Sequence, residues 1–366
     1  MILRTLVLPV IIFFSLSLTC QQTNNEMSYR HMEGSTDSAS MKANLLRQNK
    51  QVSGNCAIEK SEETATYEMY GKIDDNNQVA LSPYGYEHPV LKGVLVDEKF
   101  TGIWQNGNVE KDIELIESYP PGSIPLSVHY LHSEENLAKD NLQSPSAEIE
   151  LTLLFPVTSF HTAPDVTHLI KGIIAHHYVE NPEVLNPDSV LVTAEQEFYS
   201  LYRENGDSWE NTEWSFSWTQ QNDMSVVYNS TGILCLEYLN YVYTGGAHGM
   251  SSMNYDIIDL NTGQTLSYDQ IFSEEAKPSL SKLLITQLRH DKHIPDSLSL
   301  TEAGYFVDQM VPAENIYVNG SGIGFTYSLY EIAPYSMGII TVFIEYKQLK
   351  DLINTDSPIR KLVKTF

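Results

Sequence analysis

The chain has 366 residues, 42% hydrophobic and 19% charged, a balance that suits two or three folded domains and excludes a disordered chain. With 22 Lys and Arg against 47 Asp and Glu, the net charge is −25. That argues against a nucleic-acid partner, whose phosphates are held by basic patches. It suits a basic partner or a cation, or simply a soluble, self-repelling surface.

The N-terminus reads Met1-Ile2-Leu3-Arg4, then an apolar run from Thr5 to Leu18, then Cys20. One basic residue before a short hydrophobic core marks residues 1–19 as a secretory signal, too short for a comfortable transmembrane helix. Ser17-Leu18-Thr19-Cys20 reads as a loose lipobox, with lipid attached at Cys20. It departs from the usual pattern, which places Leu three residues before the cysteine and Gly or Ala directly before it. Plain signal-peptidase cleavage is the alternative. With no second run of spanning length, the expected membrane contact is the lipid anchor alone, on a periplasmic or cell-surface protein.

Residues 20–61 are polar without a sustained period and read as a tether, with a short helix around Ser40 to Lys50 as an option. Residues 62–120 change character. Tyr67–Ile73, Pro89–Leu95, Lys99–Trp104 and Lys111–Ile116 are short alternating runs separated by Asp74–Asn77 and Gln105–Asn108. Such spacing predicts a small antiparallel meander or barrel. Trp104, Tyr84 and Tyr86 are candidates for a sugar-stacking face or for a small core. Residues 121–146, rich in Pro and acid, read as a linker.

Residues 147–353 read as a larger α+β domain, followed by a tail at 354–366. Glu148–Pro156 alternates as a strand, while Val166–Tyr178 and Val190–Tyr202 carry apolar residues at helical spacing. Thr212–Thr219, Met224–Tyr228, Ile233–Tyr243 and Ser252–Leu260 are strands, with a hairpin turn at Asn229–Gly232. Lys277–Arg289 is a helix opened by Pro278. Asn315–Tyr327 is a hairpin with a glycine-rich tip, and Gly338–Tyr346 a β-branched strand before a helical turn. The predicted fold is thus a small N-terminal antiparallel β domain plus helices packed on a mostly antiparallel sheet.

Between two of these strands lies Thr244-Gly245-Gly246-Ala247-His248-Gly249, whose glycines permit positive φ or close approach around one imidazole. With Ile258–Gly263, the hairpin around Phe325 and Tyr330-Glu331-Ile332-Ala333-Pro334-Tyr335-Ser336-Met337-Gly338, this stretch resembles a secreted domain-of-unknown-function family. That family is found in the ectodomains of RsiV-type anti-sigma factors, and related domains accompany PdaC-type peptidoglycan deacetylases. The resemblance spans about 147–352 and implies an α+β fold. RsiV-type ectodomains bind lysozyme, a basic protein. This sequence lacks their transmembrane helix and cytoplasmic segment, and it lacks a recognisable deacetylase domain. The resemblance therefore implies an extracytoplasmic binding domain near the cell wall.

The chemistry of individual residues points the same way. His248 has the titration range of a base or ligand, but Asp256 and Asp259 are near it only in sequence, and a structural histidine holding loop backbone fits better. His176 and His177 are adjacent and so point apart, and His161 and His168 are scattered, so no metal site is expected. Ser251 and Ser252 make no nucleophile elbow, and Asp74–Asn77 lacks calcium-loop spacing. Cys56 and Cys235 can pair in an oxidising compartment or stay as free thiols. The expectation is a non-enzymatic envelope lipoprotein without cofactor. Its groove lies near Gly245, Gly246, His248, Tyr330, Glu331 and Tyr335, and its ligand is a lysozyme-like protein or a peptidoglycan fragment. The alternatives are a structural lipoprotein without ligand, and a glycan or peptide hydrolase using His248.

Overall fold

The computed structural model describes residues 27–36, 39–60, 64–83, 90–107, 109–138, 141, 144–159, 161–206 and 216–363. The expected signal segment at 1–19, Cys20, Tyr84, Tyr86 and half of the strand expected at Thr212–Thr219 lie outside these residues. Eight strands follow one another around a ring: β1 (Met27–Thr36), β2 (Ala39–Gln48), β3 (Gln51–Glu59), β4 (Thr64–Ile73), β5 (Gln78–Ser82), β6 (Leu91–Val96), β7 (Lys99–Asn106) and β8 (Val109–Glu117). Each pairs antiparallel with the next, and β1 pairs with β8 from Met32↔Glu117 to Ser35↔Glu114, closing the barrel. Its interior is apolar, with Met32, Met41, Met69, Leu81, Leu91, Phe100 and Leu115 almost fully buried. Gly93 and Gly102 face each other across β6 and β7. A Cβ on Gly102 would lie 2.2 Å from the Lys92 carbonyl oxygen, so side chains there would force the strands apart.

This corrects the reading of 20–61 as a tether and of Ser40 to Lys50 as helix, because residues 27–59 supply three barrel strands. Their polar residues are used in a buried seam. Tyr29 Oη donates to Asn44 Oδ1 (2.8 Å), Asn44 Nδ2 to Asn55 Oδ1 (3.0 Å), and Asn55 Nδ2 to the Val226 carbonyl (2.7 Å). Asn229 Nδ2 donates to Tyr29 Oη (2.9 Å) and to the Ile124 carbonyl (2.8 Å). Satisfied amides at a buried seam hold one register, because slippage would orphan several of them at once. Trp104, taken as a possible exposed face, is only 6% exposed and lies 5.6 Å from the Tyr67 ring.

The second sheet runs β14-β13-β12-β11-β10-β9. Its strands are β9 (Leu126–Asn136), β10 (Ser146–Pro156), β11 (Trp218–Ser230), β12 (Ile233–Tyr243), β13 (Met250–Asp259) and β14 (Gln264–Thr265). β9 occupies much of the expected linker at 121–146, a second correction, because its half-buried polar alternation resembles loop composition. All neighbours are antiparallel except β10 and β11. That parallel pair needs a long crossover, supplied by α1 (Pro164–His176) and α2 (Pro187–Asn205). Asn186 caps α2 by accepting from the amides of Asp188 and Ser189, with Pro187 as its first residue. The turn from β11 to β12 is tighter than expected, Thr231-Gly232, with φ of 52° and 77°, the two positive values of a hairpin turn matched to strand twist.

The remaining chain forms α3 (Tyr268–Ile271), α4 (Lys277–Asp291), β15 (Ile316–Val318), β16 (Gly322–Tyr327), β17 (Ile340–Glu345) and α5 (Tyr346–Leu349), with β15-β16-β17 as a third sheet. Along β12 the side chains alternate between two cores. Leu234, Leu236 and Tyr238 share one buried cluster with Ile170 and Ile174 of α1 and Leu191 and Phe198 of α2. Ile233 and Cys235 share the other with Leu280 and Leu284 of α4 and Ile323, Phe325 and Ile344 of the third sheet. Period-two alternation with both faces apolar is what a central strand requires, and each such buried side chain contributes roughly 2 kcal/mol. Ile359 and Leu362 are buried in the second of these clusters, so the described part of the expected tail at 354–366 belongs to the core. Cys56 and Cys235 are free and buried, in different cores. Burial pushes the Cys56 thiol up to about 12. Among the described residues no helix is long and apolar enough to cross a membrane.

Candidate functional site

The turn from β12 to β13 is built by its glycines and by one tyrosine. Gly245 and Gly246 have φ of 98° and 95°, values that side chains other than glycine's rarely take. Tyr243 Oη donates to the Gly246 carbonyl across the turn (3.0 Å). At Gly249 a Cβ would lie 2.4 Å from the half-buried Tyr241 ring, so a side chain there would displace that ring.

The Gly249 carbonyl then organises the site. It accepts from Tyr335 Oη at 2.9 Å and from His248 Nδ1 at 3.1 Å. A carbonyl oxygen only accepts, so the neutral imidazole carries its proton on Nδ1 and keeps its lone pair on Nε2. The His248 and Tyr335 rings stack with centroids 4.1 Å apart at 24°. Tyr330 lies 5.7 Å from Tyr335 at 35°, is 49% exposed, and has φ of 66°, a left-handed conformation that costs a bulky residue about 1–2 kcal/mol. Glu331 Oε2 accepts from the Ser328 amide at 2.7 Å, and its own amide donates back to the Ser328 carbonyl at 3.1 Å. The carboxylate therefore closes its own turn. Met250 and Met337, on the adjoining segments, and Phe306, whose amide donates to the Ile332 carbonyl, are exposed apolar neighbours.

His248, Tyr330 and Tyr335 thus come together as one aromatic step, with Gly245 and Gly246 shaping the turn beneath. No carboxylate is bonded to His248 among the described residues. Asp259 accepts from the Asn261 backbone and side-chain amides at 3.0 and 2.7 Å.

Asp256 is engaged elsewhere, in a constellation the sequence did not reveal. Its Oδ2 lies 2.9 Å from His177 Nε2, and the His177 ring stacks on buried Tyr238 at 3.6 Å and 13°. Burial and the Asp256 carboxylate hold the Tyr238 phenol well above its usual range. His177 is the C-terminal cap of α1. The pair fastens that helix end to β13. Among the described residues no group of three or more His, Cys, Asp or Glu side chains is arranged to hold a metal.

The architecture defines a class: a closed barrel bonded to an α+β unit that displays an aromatic step at a glycine turn. Residues 147–251 match the family model described as "Deacetylase PdaC", and residues 269–347 match the one described as "Protein of unknown function (DUF3298)". The two matches support the resemblance drawn from the glycine turn and the Tyr330–Gly338 stretch, to a domain-of-unknown-function family with PdaC relatives. The site lies where the two meet, with the glycine turn in the first and Tyr330 and Tyr335 in the second. A crystal structure of a DUF3298 family member from Bacteroides fragilis NCTC 9343 is similar with a TM-score of 0.58 and 23% identity. The alignment covers 66% of this chain and 99% of that one, a likeness of fold. A DUF3298 family protein from Pseudomonas aeruginosa PAO1 aligns with a TM-score of 0.43 and 20% identity, over 63% of this chain and 96% of that one. No curated protein matches the chain.

Proposed function

We propose that this protein is a non-enzymatic binding module of the cell envelope, exported and held to a membrane by lipid on Cys20. In this reading its ligand is a peptidoglycan glycan, received on His248, Tyr335 and Tyr330. The observation that carries it is the half-exposed Tyr330 ring beside the stacked His248–Tyr335 pair. Aromatic faces held rigid at a turn suit the apolar faces of sugar rings, and rigidity lowers the entropy lost on binding. In the same reading α1 and α2 pack on one face of a mostly antiparallel sheet, supported by their shared buried cluster, which holds the turn at a fixed place.

A binding role is favoured over hydrolysis because His248 Nδ1 is tied to backbone, while Asp256, Asp259 and Glu331 are bonded to other groups. General acid–base work needs a partner within hydrogen-bond reach. A lysozyme-like basic protein is the second reading, favoured by the net charge of −25. Calorimetric titration of the chain from residue 21 onward against muropeptides and against lysozyme tests both. Saturable muropeptide binding lost in Tyr330→Ala, with an unchanged melting temperature, is the expected result. Heat with lysozyme alone would favour the second reading, and heat with neither ligand would overturn both.

A further inference from the structure

The hydrogen-bonding groups of the aromatic step are one-sided. Its two side-chain donors of fixed direction, His248 Nδ1–H and the Tyr335 hydroxyl, are both committed to the Gly249 carbonyl. What they leave outward is acceptor capacity. His248 is exposed and its Nε2 keeps a lone pair. The exposed Glu331 carboxylate accepts from the Ser328 amide through Oε2, with no bond to Oε1 among the described residues. The hydroxyls of Tyr330 and Ser336 rotate and can serve either way.

Charge along the chain has the same bias. Residues 204–276, which contain the glycine turn, and residues 293–346, which contain Tyr330 and Tyr335, hold neither lysine nor arginine. The loop before the step packs against it through the bond from the Phe306 amide to the Ile332 carbonyl, and carries exposed Glu302 and Asp308. Arg289, near the end of α4, is turned into the start of that loop, where it donates to the carbonyls of Pro295 and Leu298. Carboxylates without cations among them make a field that attracts positive charge.

We infer that the sugar received on this step carries a free amine, as a de-N-acetylated amino sugar does; the inference rests on the glycan reading above. An ammonium group offers three donors and one positive charge. One N–H donates to His248 Nε2 in the field of Glu331, while the apolar face of the sugar lies on Tyr330. An N-acetylated sugar instead brings an acetamido carbonyl, an acceptor, to a step whose fixed side-chain donors are already taken. A phosphate or carboxylate would bring like charge.

Calorimetric titration of the chain from residue 21 onward with a glucosamine tetramer, its fully N-acetylated counterpart and acetyl-lysine amide tests the inference. The glucosamine tetramer binds about tenfold tighter than the acetylated one, the order of one hydrogen bond to a charged group, and added salt narrows the gap. His248→Phe keeps a ring against Tyr335 without the acceptor, and Glu331→Gln keeps an acceptor for the Ser328 amide without the charge. Both variants lose the preference for the amine and still bind the acetylated tetramer, with melting temperature as the check on folding. Equal or tighter binding of the acetylated tetramer, or a preference unchanged in both variants, would overturn the inference and leave the glycan reading standing. Binding of neither tetramer would overturn both, and saturation by acetyl-lysine amide in that case would assign the step to a protein lysine.

Discussion

Tyr335 Oη donates to the carbonyl of Gly249 at 2.9 Å while its ring lies flat against His248, so one side chain joins the β12–β13 turn to the Pro334–Met337 segment. Tyr335→Phe removes the donor and keeps the stack. It should lower stability by about 1 kcal/mol, the usual value of one hydrogen bond. Tyr335→Ala should cost more and loosen the turn, seen as faster amide exchange at residues 244–249. Equal stability of the Phe variant and the parent would show that this bond holds nothing.

The close approach of β6 and β7 is equally direct to probe. Gly102→Val places a Cβ within 2.6 Å of the Gly93 Cα and 2.2 Å of the Lys92 oxygen, which only a backbone shift can relieve. A loss of about 2 kcal/mol or more in a denaturant melt is expected. Gly107→Ala, at a turn with open space around it, should cost less.

His177 and Asp256 should behave as a coupled pair. Each single change to Ala or Asn costs stability, and the double-mutant cycle should leave a coupling of about 0.5–1 kcal/mol, since both groups are only partly exposed. Additive costs would mean that the 2.9 Å contact carries no energy of its own.

Glu237 gives a pH signature. Burial first, and then the neighbouring Glu68 charge, raise its carboxyl above the ordinary value, against hydrogen bonds from Tyr255 and Ser225. The folded state therefore binds this proton more tightly than the unfolded chain. Its stabilising contribution is complete below the unfolded value and is lost as pH rises through the raised folded value. Glu237→Gln should gain on the parent as pH rises above the ordinary carboxylate range, and stop gaining once Glu237 is ionised in the folded state. A stability difference that stays flat across that range would contradict this sign.

The proposed anchor is tested by metabolic labelling with an alkyne fatty acid. Cys20→Ala should abolish the label and release the protein from the membrane fraction. Unlabelled parent protein would remove the lipid from the proposal.

The elements that alternation and glycine turns announced were legible: strands β4, β6, β7 and β8, the two crossover helices, β12, β13, α4 and the β15–β16 hairpin. Those that failed have a common cause. Residues 27–59 look like a tether because Asn44, Asn55 and His31 are polar, and only the assembled seam shows them buried and bonded. β9 was hidden for the same reason. Among the site residues, sequence brought Gly245, Gly246 and His248 together by adjacency. It could not supply the Gly249 carbonyl as the acceptor that His248 shares with Tyr335, nor the capture of the Glu331 carboxylate by the Ser328 amide. The His177–Asp256 contact depends on where the end of α1 meets β13, which no local pattern encodes.

The seam between β1 and β8 also sets an order of events. Every other pair in the barrel is a hairpin of neighbours, able to form within microseconds of being made. The ring itself waits for Glu117 to meet Met32. A chain emerging N-terminus first therefore carries β1 with an open edge until β8 arrives, and open edges invite pairing with other chains. Closure is the step at which that exposure ends, so slow synthesis between residues 36 and 117 prolongs the time for which the β1 edge stays open.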